Sequence, residues 1–143
     1  MRKAYHKSLL HLYLFMIAAI LASCDKLDKN GDLDGAWQLT SLQRTEDGTV
    51  MADKNSRIFY YFKLDLMELR QVNDTMYYLA RFKHTGDSLI IGPVYQSPFD
   101  SLVAISEVDA KFGIADGHMH VNRLTSDDLE LENKQYKIQL RKF

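Results

Sequence analysis

An all-β domain, an antiparallel sandwich or barrel of seven or eight short strands behind a leader and a tether, is what this sequence predicts. Three observations predict it. From residue 35 onward, apolar side chains recur at every second position, the period of a half-buried strand. Polar stretches such as "VNDT", "HTGDS" and "TSDD" interrupt that alternation at short intervals. Residues of high strand preference dominate, above all in "RIFYYFKLDLMELRQV".

The chain starts differently. "MRKAYHK" carries Arg2, Lys3 and Lys7 and no acid, and an apolar run over residues 9–22 follows, broken only by His11. A basic start, an apolar core and a small-residue end predict a secretory signal peptide over residues 1–23. The run falls short of the roughly twenty residues a bilayer-spanning helix needs, so cleavage is expected over an uncleaved anchor. Leu21-Ala22-Ser23-Cys24 resembles a bacterial lipobox. The resemblance implies that the Cys24 thiol receives a diacylglycerol, that cleavage falls just before it, and that its new amino group is acylated. Cys24 is the sole cysteine, and a free thiol in a secreted chain otherwise calls for a partner. Two or three acyl chains, at about 0.8 kcal/mol per buried methylene, would hold the product on a membrane. Cys24 is the expected anchor.

Residues 24–34 are polar apart from Leu27 and Leu33 and read as a tether. Acidic residues beside a lysine after the cysteine resemble surface-export signals of some Gram-negative lipoproteins. In other groups an aspartate directly after the cysteine, as at Asp25, resembles an inner-membrane retention signal. The expected location is the bacterial cell envelope, with the outer membrane, surface exposure included, favoured over the inner. Losing three basic residues with the leader makes the mature chain more acidic than the −1 of the whole. That balance argues against nucleic acid as a partner.

The remaining 35–143 form one domain by length. "GAWQLTSLQ" sets Trp37, Leu39 and Ser41 on one face and Gln38, Thr40 and Leu42 on the other. In 57–72, Ile58, Tyr60, Phe62, Leu64 and Leu66 share a face, and Met67 and Leu69 take the opposite parity. That switch near Asp65 predicts a bulge or bend in one long strand, because one extra residue flips every later side chain. A hairpin is the alternative, although "KLDL" offers no glycine or asparagine for its turn. "MYYLARFKH" turns Tyr78, Ala80 and Phe82 inward, and "HTGDS" is a hairpin turn into "SLIIG". After Pro93 and Pro98, Leu102, Ile105, Val108 and Phe112 fall at helical spacing. A short helix near 100–112 is expected, started by Asp100 or Ser101 and stopped by Gly113, with a short strand around 103–105 as the alternative. Alternation then resumes with Met119, Val121 and Arg123, with Leu129 and Leu131, and with Tyr136, Ile138 and Leu140.

Gly35-Ala36-Trp37 at the start of the first strand resembles the Gly-x-Trp signature of lipocalins and lipocalin-like proteins. The closing rhythm "HVNRLTSDDLELENKQYKIQLRKF" is similar to the last three strands of lipocalin-like lipoproteins of unassigned function. The resemblance implies a calycin-type up-and-down barrel of seven to eight strands, with Trp37 closing its base.

No catalytic constellation stands out: there is no glycine-rich phosphate loop, no nucleophile-elbow serine and no spare thiol. "DGHMH" would project Asp116, His118 and His120 from one strand face, a set that could hold zinc. With Met119 and Val121 inward, both imidazoles face solvent, so a solvated face is favoured, and neither enzyme activity nor a cofactor is expected. His84 reads as a surface residue beside a turn. The aromatic set carries more. Trp37, Tyr60, Phe62, Tyr78 and Phe82 are expected to line the barrel, where they could surround one small apolar ligand or fill the space themselves. The expected function is that of a lipid-anchored envelope lipoprotein binding a small apolar ligand or a partner protein. The alternative is a structural or accessory subunit with a filled barrel.

Overall fold

Among the described residues, the alternation of apolar and polar residues becomes ten strands and one α-helix. A computed structural model of the chain describes residues 29–143. The expected signal peptide, Cys24 and the first tether residues lie outside the described residues. In chain order the strands are β1 (Gly35–Arg44), β2 (Val50–Asp53), β3 (Ile58–Lys63), β4 (Leu66–Gln71), β5 (Tyr77–Thr85), β6 (Ser88–Ser97), β7 (Ser101–Val103), β8 (His118–Leu124), β9 (Asp128–Glu132) and β10 (Tyr136–Lys142). The helix α1 (Ile105–Phe112) lies between β7 and β8.

Eight strands close a ring in the order β1, β3, β4, β5, β6, β8, β9, β10, and β10 returns to β1. All pairings are antiparallel. Closure leaves no open sheet edge around the ring. The two remaining strands patch interrupted ones. β2 lies beside the second half of β1, and β3 beside its first half, so together they act as one strand broken by the 3-10 turn Lys54–Ser56. β6 is long enough to pair β8 at its start and β7 at its end.

The inward face is apolar almost throughout. Trp37, Leu39, Ile58, Tyr60, Phe62, Leu89, Val94, Leu129 and Ile138 are at most 2 % exposed. Each such side chain contributes about 1.5–3 kcal/mol by leaving water. Met119, Val121, Leu131, Tyr136 and Leu140 are buried too, as the alternation of the closing strands predicts.

Four readings are corrected. Leu42 faces inward with Leu39, because the β1–β10 register shifts between Leu39 and Ser41 and flips the later side chains. Arg123 turns outward after a similar shift between Val121 and Arg123, and pairs with Asp128 at 3.2 Å. Residues 57–72 are two strands, not one: β3 and β4 join through Leu64 and Asp65, with Leu64 in the left-handed region at φ 59°. Leu64 and Leu66 are accordingly exposed, and Met67 and Leu69 fill the core. In the 100–112 region strand and helix both form. Ser101–Val103 pairs with β6, leaving Leu102 exposed, and the helix starts only at Ile105 after Ala104. Gly113 does end it, in a left-handed conformation at φ 65°.

The folded domain also begins before the expected boundary at Gly35. The 3-10 turn Gly31–Leu33 brings Leu33 to full burial, and Asn30 is bonded to Asp34 through its backbone and side-chain nitrogens. β6 likewise runs on through Gly92 and Pro93, absorbed by a register shift against β5 between Ala80 and Phe82.

Candidate functional site

The barrel interior is where a ligand would sit, and its contents are built strand by strand. Cross-strand partners align Trp37 of β1 with Tyr60 of β3, Tyr60 with Leu69 of β4, Leu69 with Tyr78 of β5, and Tyr78 with Gln96 of β6. A second row aligns Gly35, Phe62, Met67, Ala80 and Val94. Four of the five residues expected to line the barrel are thus buried inside it, and Tyr78 stands half-buried at one mouth.

Both ends are closed by the protein's own groups. At the base, Trp37 Nε1 donates to the Leu33 carbonyl at 2.8 Å, which locks the 3-10 turn under the barrel. Lys142 Nζ lies 4.3 Å from the centre of the Trp37 ring system and donates to the carbonyls of Asp32 and Asp34, at 2.8 and 2.5 Å. Gly35 makes that crossing possible: its φ is 125°, and a Cβ there would stand 3.0 Å from Lys142 Cε. The Gly-x-Trp motif is therefore a physical unit, in which the glycine admits the lysine that covers the tryptophan.

At the other mouth α1 turns its buried side, Val108 and Phe112, into the barrel. The Phe112 ring meets Tyr60 edge-on at 6.2 Å and Tyr78 at 5.7 Å between centroids. Tyr60 Oη donates to the Phe112 carbonyl at 2.5 Å, and Asn133 Nδ2 to the Gly113 carbonyl at 2.8 Å. The last carbonyls of the helix, which have no partner within it, are thus satisfied by side chains. Complete burial pushes the Tyr60 phenol far above the ordinary tyrosine value. The fit is close: a Cβ on Gly113 would come 2.5 Å from Leu42 Cδ1. Deeper in the barrel, Phe62 and Phe82 pack edge to face at 5.3 Å. The Phe112 ring thus packs against both Tyr60 and Tyr78.

This architecture has a family match. The lipocalin-like domain family model covers residues 19–143. The chain belongs to the lipocalin-like domain family. Among solved structures, this lipocalin-like protein is similar to a lipocalin-like protein from Bacteroides uniformis, at 26% identity and TM-score 0.58 over 79% of this chain and 100% of that one. An uncharacterized protein from Bacteroides eggerthii, 22% identical, has the same fold with TM-score 0.56 over 78% of this chain and 99% of the other. A protein from Burkholderia xenovorans, 13% identical with TM-score 0.53, does so over 77% and 82%. No curated protein matches the chain. Lipocalin-like barrels commonly bind small hydrophobic ligands in their interior, the region where Trp37, Tyr60, Phe62 and Phe82 of this lipocalin-like protein are buried.

The remaining candidates lie outside the barrel. His118 and His120 both point to solvent, in a surface cleft of about 400 Å³ that they share with Asp87, Asp116 and Glu132. His120 Nδ1 is 3.7 Å from Asp87 Oδ2, and an Asp116 carboxylate oxygen accepts from the His118 backbone N–H at 3.1 Å. Asp116 belongs to the turn before β8 rather than to the strand that carries the two imidazoles. No group of three or more potential ligands able to hold a metal is found among the described residues. His84, read as a surface residue, is half-buried on β5 with its Nε2 buried and without a hydrogen-bond partner.

Sequence reasoning missed Phe112 as an interior residue. Helical spacing marked it as apolar-face, and Gly113 marked the end of its helix, but neither says that the helix turns into a barrel mouth.

Proposed function

We propose that this lipocalin-like protein is an envelope lipoprotein, anchored through Cys24, that works by docking a partner protein on its outer surface while its barrel stays filled. The closure of the barrel by Phe112 carries the reading: a ligand would have to displace a fully buried ring and the hydrogen bonds that hold it. A surface suited to contact lies near the same mouth. Leu79, Tyr95 and Leu102 line up across β5, β6 and β7, and Phe99 follows in the adjoining turn. Tyr95 is 43 % exposed, Leu102 68 % and Phe99 69 %. Apolar side chains grouped in this way mark interaction sites more often than isolated ones do. β7 pairs with β6 alone among the described strands, which leaves it an edge for strand addition.

The family's common habit supports a second reading, in which α1 withdraws and a small apolar ligand takes the place of Phe112. Native and denaturing mass spectra of the barrel, prepared without leader and Cys24, separate the two. The filled barrel predicts the polypeptide mass in both. A reproducible extra mass lost on denaturation would overturn it in favour of the ligand.

A further inference from the structure

We propose that the β3–β4 hairpin tip, Leu64 with Leu66 beside it, is a membrane-contacting element that seats the base of the barrel on the bilayer. The proposal rests on the Cys24 anchor and goes beyond it by assigning the surface that meets the lipid.

Three observations converge on this tip. The first is its chemistry. Leu64 and Leu66 are each 43 % exposed at the end of a hairpin, with Lys63 next to them and Arg81 paired to Asp65. Apolar side chains flanked by basic ones suit the boundary between headgroups and acyl chains.

The second is its backbone. Leu64 holds a φ of 59°, a conformation that glycine or asparagine adopts freely and leucine does not. Leu64 is not a member of the buried core, so burial does not account for a large apolar side chain there. Scattered surface leucines are ordinary, but a leucine kept in a left-handed turn at a tip asks for a reason outside the fold.

The third is the reach of the chain. Asn30 Nδ2 donates to the Leu64 carbonyl at 2.7 Å, so the described chain begins against this tip. Asn30 stands six positions after Cys24, a stretch that fully extended spans at most about 22 Å. A lipid on Cys24 therefore keeps the tip close to the membrane whatever path the tether takes. α1 and its plug are at the opposite end, where Asn133 of the β9–β10 turn meets Gly113.

The test uses the full lipidated chain reconstituted in vesicles of phosphatidylethanolamine and phosphatidylglycerol. Leu64→Trp and Val50→Trp variants are compared in ordinary vesicles and in vesicles whose acyl chains carry bromine, a short-range quencher. Val50 is exposed on β2, away from the tip, and Trp37 is a constant background buried in both variants. Leu64→Trp emission should fall about twofold in brominated lipid, and Val50→Trp emission should stay unchanged. Leu66→Trp serves as a second probe should the turn variant fold poorly. Flotation with the vesicles is measured on the same samples, with Cys24→Ala as control. A variant that floats with no more quenching at 64 and 66 than at 50 overturns the tip proposal and leaves the anchor intact. That result includes a tip buried against a second copy of the chain. A chain that fails to float, or a Cys24→Ala chain that floats equally well, overturns the anchor and this proposal with it.

Discussion

Tyr60 shows how one side chain joins the wall of the barrel to its plug. Its ring stands in the row with Trp37 and Leu69, and its hydroxyl reaches the last carbonyl of α1. Tyr60→Phe keeps the ring and leaves the Phe112 carbonyl buried without a partner, which should cost about 1–3 kcal/mol at neutral pH in denaturant melts. The same residue sets an alkaline limit. Its phenol is held far above the 10.0 of an unfolded tyrosine, so its neutral form gives no pH-dependent penalty below that value. Above it the unfolded chain ionises and the folded one does not. Stability then falls as pH rises, by up to about 1.4 kcal/mol per unit for this group. Repeating the melts at about pH 11 should show a smaller alkaline loss in Tyr60→Phe than in the parent. Equal losses would mean that Tyr60 is not desolvated. Tyr136, also raised by burial first and by nearby Asp109 second, is a source of alkaline loss that the substitution leaves in place.

At the scale of the element, α1 is eight residues long, too short to persist by its own hydrogen bonds. It is held by what it buries, Val108 and Phe112, and by the side chains that satisfy its C-terminal carbonyls. Asp109 adds a further tie by accepting from the Ala115 N–H. Phe112→Ala should cost about 3–5 kcal/mol and leave an apolar hollow at the mouth. Xenon or benzene shifts in methyl spectra would report that hollow, concentrated at residues around Tyr60 and Tyr78, whereas the parent should show none there. If the parent takes up the probe as readily, the mouth is already open and the second functional reading gains. Helical spacing in 102–112 made the helix legible, but it also drew Leu102 into it. Leu102 instead pairs with Tyr95 across β6 and β7, and local spacing cannot distinguish a helical i, i+3 pair from a strand residue that happens to precede a helix.

On the scale of the whole molecule, the two ends of the barrel differ in kind. One carries the 3-10 turn, Trp37 under Lys142, the start of the described chain and the Leu64 tip. The other carries α1, with Lys111 paired to Asp74 of the β4–β5 connection. In the arrangement proposed above, the first faces the bilayer and the second, with the Tyr95 and Leu102 row near it, faces a partner. Leu64→Gly tests that polarity through a trade between stability and location. Relief of the left-handed leucine should raise stability by about 0.5–1 kcal/mol, and contact with the bilayer should weaken. The first effect is read in a denaturant melt, the second by quenching of a Leu66→Trp reporter in the same background. A gain in stability with unchanged quenching would make the leucine a tolerated strain rather than a contact.

The sequence by itself determined the alternating strands, the inward identity of Trp37, Tyr60, Phe62 and Phe82, the end of α1 at Gly113 and the family signature at Gly35 and Trp37. These are local properties: parity along a strand, a glycine stop, a three-residue motif. Only the tertiary structure decided the rest. Register shifts opposite Leu39 and Val121 reversed the faces of Leu42 and Arg123, and a shift is set by the partner strand, not by the strand that shows it. The hairpin at Leu64 was hidden because its turn uses a residue that turn chemistry disfavours. That Phe112 packs against Tyr60 and Tyr78 depended on where α1 came to rest. Phe112 is buried against Tyr60 and Tyr78, which are distant from it in sequence, so no local pattern could bring the three rings together.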